Sequence, residues 1–166
     1  MLKFAISGVL CFVCAYLGVV GKNYYDKRCK YLKDFDGFLH NLKDGISYSK
    51  DRLGEIGSKF LATGKGAFYT DLKEYIDLVE SGNPSEEQVK KCFDSKYISK
   101  SDKLLIKDFF FELGKFDYDT QMSRLEMTAS GLKRIVEKAE KDCKTTGNLM
   151  PKLGLVLGIA IMIILA

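Results

Sequence analysis

The sequence of 166 residues contains one histidine, two prolines and no tryptophan. Because His40 is the only histidine, a cluster of several histidine metal ligands is excluded, and a Ser-His-Asp or Cys-His site would need this residue. His40 stands beside apolar positions of a predicted helix, where a surface histidine without a catalytic role is the simpler interpretation. Gly64-Lys65-Gly66 lacks the spacing and strand-to-helix context of a phosphate-binding loop and indicates a turn. We therefore expect no enzyme activity, no cofactor and no metal.

Charge is abundant in this chain, but it is only weakly biased toward one sign. Charged residues make up 29% of the sequence, and the formal net charge is +4. Residues 22–152 carry 25 of the 26 bases, all except Lys3, and all 22 acids. The net charge of this region is therefore +3 (25 − 22). No aromatic and basic signature of a nucleic-acid-binding module accompanies it. We predict neither a nucleic-acid partner nor a small-molecule substrate.

Apolar segments stand at both ends of the chain. Phe4–Val20 carries nothing more polar than serine, tyrosine and two thiols, and the residues after Lys152 carry no strongly polar side chain. About 20 apolar residues span a bilayer as a helix, and about 17 are tolerated. We predict an N-terminal transmembrane helix over residues 1–21 and a C-terminal one over residues 149–166. Residues 22–148 are then expected to form one soluble helical domain.

Basic residues flank both predicted spans on the side of the soluble domain. Positive charge beside a span is retained on the cytoplasmic side, so the domain is predicted to be cytoplasmic. The bases are Lys22, Lys27, Arg28, Lys30 and Lys33 after the first span, and Lys138, Lys141, Lys144 and Lys152 before the second.

Cys11 and Cys14 lie inside the first predicted span. Their C-x-x-C spacing occurs in redox and metal sites, but a metal needs further ligands and redox activity needs an accessible thiolate. We interpret both as small apolar packing residues.

The middle of the chain has the periodicity of helices. One apolar seam steps by three and four residues through Leu32, Phe35, Leu39, Leu42, Ile46, Ser49 and Leu53. A second runs through Tyr118, Met122, Leu125, Ala129, Leu132, Val136, Ala139 and Cys143 toward the second span. The spacing is typical of long amphipathic helices. It predicts an all-α fold of about six antiparallel helices, in which a long first and last helix continue into the transmembrane helices.

Turn and cap residues divide the region between the two seams into shorter helices. Gly64, Gly82 and Gly114 are expected to end helices. Asn83, Ser101 and Asp117 are expected to cap the helices that follow, with Pro84 at the first helical position after Asn83.

Three short motifs, taken in order together with the terminal spans, resemble the stage III sporulation protein AB family (SpoIIIAB). The first stretch runs from Ile46 through Tyr48 and Leu53 to Glu55 and Ile56. The second contains Leu113, Gly114, Asp117 and Gln121, and the third contains Lys152, Leu153, Gly154 and Gly158. The likeness covers essentially the whole chain.

The resemblance implies a function that composition alone does not. Members of this family look like non-enzymatic membrane components of the channel complex between mother cell and forespore, needed for late forespore development. Their soluble domain is similar to the cytoplasmic domains of type II secretion protein F, the platform on which a secretion ATPase acts. The implied partners are the other stage III sporulation A-complex proteins, especially the AA ATPase, with possible oligomers in the complex. The implied location is the outer forespore membrane, with the domain on the mother-cell side.

The sequence also suggests where such a partner binds. If the two long helices form a stalk, the short connections should form its membrane-distal cap, and Lys65 and Lys100 are the candidate partner-facing residues. The alternative function is a membrane-anchored signalling or regulatory module acting through the antiparallel stalk. A membrane enzyme that uses His40 or a thiol is a third and weaker hypothesis.

Overall fold

A computed structural model describes residues 2–49, 53–82 and 84–165. The helices are α1 (Leu2–Asp44), α2 (Leu53–Leu61), α3 (Ala67–Glu80), α4 (Glu86–Cys92), α5 (Lys100–Glu112), α6 (Tyr118–Asp142) and α7 (Asn148–Leu165). Single π-helical turns follow α1 at Gly45–Ser49 and α6 at Cys143–Gly147. No strand occurs in these ranges, so the predicted all-α fold with a long first and last helix is confirmed.

The chain forms two compact units, and α1 and α6 each contribute to both. The terminal unit comprises Met1–Cys29 and Glu137–Ala166, and the central unit comprises Lys30–Val136. Two helical stretches, Ser7–Ser47 and Tyr118–Ile164, are long and apolar enough to cross a membrane. The domain boundaries expected at residues 21/22 and 148/149 remain a prediction.

Aromatic rings fill the core of the central unit. The ring of Phe110 stacks on Phe93 at 4.0 Å between centroids and also contacts Phe35, Phe38 and Tyr75. The first predicted seam is buried where it belongs to α1, at Leu32, Phe35, Leu39 and Leu42. The seam therefore identified the face of α1 that packs against the shorter helices.

Two tyrosine hydroxyls join helices across this core. Tyr31 of α1 donates a hydrogen bond to the Oδ2 atom of Asp71 in α3, at 2.7 Å. Burial raises the pKa of Asp71 to about 6, although the bond from Tyr31 opposes that shift. Tyr75 of α3 donates to the carbonyl oxygen of Phe110 in α5, at 3.1 Å. Burial raises the pKa of Tyr75 to about 12, so its hydroxyl remains a donor at neutral pH.

Two expected helix caps are wrong by two residues. Ser85 caps α4 in a reciprocal capping box with Gln88, so Pro84 precedes the helix, and Asn83 lies outside the described residues. Ser99 caps α5 in the same way with Asp102, and Ser101 lies inside the helix. In both cases a side chain three residues after the true cap returns the second hydrogen bond.

Pro151 explains the π-helical turn between α6 and α7. A proline inside a helix lacks the N–H that would bond the carbonyl four residues earlier, and its ring clashes with that carbonyl. Here that earlier residue is Gly147, the last residue of the π-helical turn. A π-helical turn accommodates such a local interruption of the helical hydrogen bonds.

Candidate functional site

The second family motif forms the turn from α5 into α6. Gly114 has a φ of +82°, in the left-handed region that suits glycine. The Oε1 atom of Gln121 accepts a hydrogen bond from the Gly114 N–H at 3.2 Å. The Oδ2 atom of Asp117 accepts from the Thr120 N–H at 3.3 Å, which confirms Asp117 as the cap of α6. That interaction with Thr120 lowers the pKa of Asp117. Three residues of this motif thus have a structural role in one turn.

The first family motif forms the passage from α1 into α2. Ile46 lies in the π-helical turn after α1, and Leu53 begins α2. Ile56 is buried, and a Cβ on Gly45 would come within 2.7 Å of its Cδ1 atom, so a larger residue at position 45 would require the Ile56 side chain to shift. The side chain of Tyr48 lies outside the described residues.

The two motifs meet around one small cavity of about 160 Å³. Its lining comes from α1, α2 and the turn before α6, and comprises Leu42, Ile46, Leu53, Leu113, Gly114, Phe116, Tyr118 and Gln121. Residues that are nearly 70 positions apart in the chain therefore form one local structure, which we name the motif cavity.

Leu53 also lines two larger cavities of the central unit. One, of about 340 Å³, lies between α3, α4 and the turn after α5. The other, of about 590 Å³, lies between α2 and α3, and we name it the α2/α3 groove. Its lining comprises Leu53, Gly54, Glu55, Ser58, Tyr75, Ile76, Val79 and Glu80. α3 contributes Tyr75, Ile76 and Val79 to this groove, although none of the three belongs to a family motif.

The third family motif packs α7 against α1 within the terminal unit. A Cβ on Gly154 would lie 2.5 Å from the carbonyl oxygen of Cys14, and one on Gly158 would lie 2.9 Å from the Sγ atom of Cys11. On the opposite helix, a Cβ on Gly18 would lie 2.6 Å from the carbonyl oxygen of Met150. Gly154 and Gly158 have the small-xxx-small spacing that lets membrane helices approach closely. Cys11 and Cys14 contact these glycines, as expected for packing residues.

Lys152 and Leu153 of the same motif lie on the opposite, exposed side of α7. The neighbouring exposed apolar side chains include Leu149, Leu155, Val156 and Leu157. A long lysine side chain in such a setting can extend its amine toward polar surroundings while its methylenes stay in the apolar layer.

Lys65 and Lys100, the candidate partner-facing residues, are both exposed. The backbone oxygen of Lys65 accepts a hydrogen bond from the Nζ atom of Lys30, at 3.2 Å. Lys100 begins α5. Further along the chain, Phe109 contacts Phe35, and Leu113 lines the motif cavity together with Leu42. α5 therefore runs in the same direction as α1. Both lysines are thus near the Lys30 end of α1, whereas Gly82 shares a cavity with Leu53 near the Asp44 end. The assignment of these two lysines to partner binding stays a prediction.

His40 is a surface residue, in agreement with the simpler interpretation. Its side chain is 69% exposed, and its Nδ1 atom lies 2.9 Å from the carbonyl oxygen of Asp36 in the preceding turn. Within the described ranges, no group of three histidine, cysteine or acidic side chains could hold a metal ion.

The fold defines a helical protein with two candidate transmembrane helices, one at each end. The family model of stage III sporulation protein AB matches residues 3–166, and the chain belongs to this family. This match confirms the resemblance found in the three motifs. Searches among curated proteins and among solved structures found no match.

Proposed function

We propose that this protein is a non-enzymatic membrane platform component of the sporulation channel complex between mother cell and forespore. It would engage the secretion-type AA ATPase and the other stage III sporulation A-complex proteins, and would resemble type II secretion protein F in this role. Membership of a stage III sporulation family supports the general role.

The close packing of the two apolar helices is the observation that carries the platform role. Gly18, Gly154 and Gly158 bring the backbones of α1 and α7 together. Such a pair holds the protein by two chain segments instead of one, as a platform that receives force requires. The alternative, a regulatory module that acts through the same antiparallel stalk, differs from the platform in its partners, which the purification below identifies.

The proposed orientation follows from charge. Residues 1–21 and 149–166 would span the outer forespore membrane, and residues 22–148 would lie on the mother-cell side. The bases beside the spans support this orientation, because positive charge is retained in the cytoplasm.

The experiment is affinity purification of the tagged full-length protein from its sporulating host in mild detergent, with lysine cross-linking and mass spectrometry. We expect recovery of the AA ATPase, cross-linked to lysines between residues 22 and 148. Recovery of other complex proteins without the ATPase would contradict the ATPase contact alone. Recovery of none of them would contradict the platform and favour a regulatory module.

Charge reversal tests whether Lys65 and Lys100 face the ATPase. The variants Lys65→Glu and Lys100→Glu should lower recovery of the ATPase, and Lys133→Glu, an exposed lysine of α6, is the matched control. Unchanged recovery with both variants would remove these two residues from the contact and leave the platform proposal intact.

A further inference from the structure

We propose that the α2/α3 groove binds a basic amphipathic helix of a protein partner. The partner helix would place an apolar side chain in the groove and a lysine or arginine on either side of it. This inference deepens the proposed function, on which it rests for the existence of a protein partner.

The floor of the groove is apolar and already formed. Tyr75 and Ile76 are buried at its base, and the half-buried Leu53 and Val79 form its walls. The volume of about 590 Å³ is within the range of binding sites that take one or a few side chains. An apolar side chain placed there would remove Leu53 and Val79 from water, which is the favourable contribution to binding.

Two carboxylates stand at the rim on opposite walls. Glu55 belongs to α2 and Glu80 to α3, and both side chains are exposed. The Oε1 atom of Glu80 lies 3.3 Å from the position of a Cβ on Gly54, so this carboxylate reaches across to the start of α2. Because residue 54 is glycine, no side chain fills the space between the two acids.

The charge of this region is opposite to that of the whole protein. Residues 53–82 contain five acids and three bases, a net charge of −2 (3 − 5), in a chain whose net charge is +4. An anionic lipid headgroup or a nucleic acid would be repelled by this rim. A cationic side chain would be attracted.

The shape of the site favours a helix as the occupant. The groove runs between two packed helices, and a third helix can place side chains spaced by three or four residues into such a channel. Leu53 also lines the motif cavity, so the groove shares one lining residue with the cavity that both central family motifs form.

The test uses purified full-length protein in neutral detergent and two fluorescent helical peptides about 11 residues long, or three turns. Both peptides carry a leucine stripe, flanked by lysines in one and by glutamates in the other. Fluorescence anisotropy reports binding. We expect the lysine peptide to bind more tightly than the glutamate peptide, with a difference that narrows at high salt.

Variants show whether the groove is responsible. Glu55→Gln with Glu80→Gln should weaken binding of the lysine peptide by about three- to tenfold, the effect of losing two exposed ion pairs. Ser58→Phe, which fills the groove from an exposed position, should weaken binding at any salt concentration. The control Glu87→Gln with Asp119→Asn removes two exposed charges elsewhere and should leave binding unchanged.

Two results would overturn the inference. One is equal binding of the lysine peptide to the groove variants and to the control. The other is equally tight binding of the lysine and glutamate peptides at low salt, which would exclude a contribution from the rim carboxylates. Since no sporulation protein is needed, the peptide result is independent of whether the ATPase co-purifies.

Discussion

Helices pack by different means inside each of the two units of this protein. In the central unit, large side chains fill the space between helices, and Phe110 alone contacts the rings of Phe35, Phe38, Tyr75 and Phe93. In the terminal unit, helices meet where side chains are missing. The comparison illustrates two kinds of helix packing. Helices in lipid gain little from the hydrophobic effect and associate through close approach of their backbones. Helices in water associate by burying apolar surface.

The largest effect should come from the aromatic core. Phe110→Ala leaves a cavity among several rings, and such substitutions lower the free energy of unfolding by about 3–5 kcal/mol. Urea unfolding followed by far-UV circular dichroism measures the change. Leu104→Ala on the same helix is the control, because Leu104 is 59% exposed and its loss should cost well under half as much. Equal losses would show that Phe110 is not central to the core.

The glycine contacts of the terminal unit should be broken by added side chains. Gly154→Leu forces the helices apart, because even a Cβ would lie 2.5 Å from the Cys14 carbonyl oxygen. Spin labels on unnatural residues at positions 9 and 163 should report a longer and broader distance. Gly8→Leu is the control, since nothing lies within 4 Å of a Cβ there, and an equal change in both variants would contradict the packing role.

Two glycines of the central unit should respond with opposite sign. Gly114→Ala should lower the free energy of unfolding by about 1–2 kcal/mol, because alanine disfavours a φ of +82°. Gly131→Ala, within α6 and with open space around a Cβ, should raise it by about 0.5–1 kcal/mol through helix propensity. Urea unfolding measures both, and a shared sign would mean that backbone conformation does not distinguish them.

The pH dependence linked to Asp71 should be similar in size to the effect of Gly131→Ala. Its pKa is raised to about 6 in the folded protein, against about 3.9 in an unfolded chain, so the folded state binds the proton more tightly. Wild type should therefore gain stability relative to Asp71→Asn as the pH falls from about 7 to about 4. The gain should be of order 1 kcal/mol, because solvent screens a half-exposed group. A constant difference across this window would show that Asp71 titrates normally.

Sequence periodicity predicted the buried face of α1 well, because the spacing of apolar residues along one helix determines which side chains share a face. Leu32, Phe35, Leu39 and Leu42 follow the three-and-four spacing and are buried. The helix caps were less predictable, since Ser99 and Ser101 are equally suitable by type and Asp102 decides between them. The end of the central unit at which Lys100 lies depends on the direction of α5, which local patterns do not specify.

The sequence identified the residues of the family motifs, but it did not predict which of them contact each other in the fold. Nothing in the spacing of Leu53 and Gln121 places them in one cavity, because that proximity comes from the packing of α2 beside the turn after α5. Pro151 did carry a signal for the π-helical turn, since a proline within a helix requires a local adjustment.

Because of the π-helical turn at Cys143–Gly147, the number of residues before α7 matters as much as their identity. Each residue of an α-helix advances the chain by about 100° around the axis. Deleting one residue from Cys143–Gly147 would turn the segment into an ordinary helix and rotate α7 by about 100° relative to the end of α6. Gly154 and Gly158 would then leave the face that meets Cys11 and Cys14. Natural variants of this chain should therefore accept substitutions at positions 144–146 more readily than a change of length there.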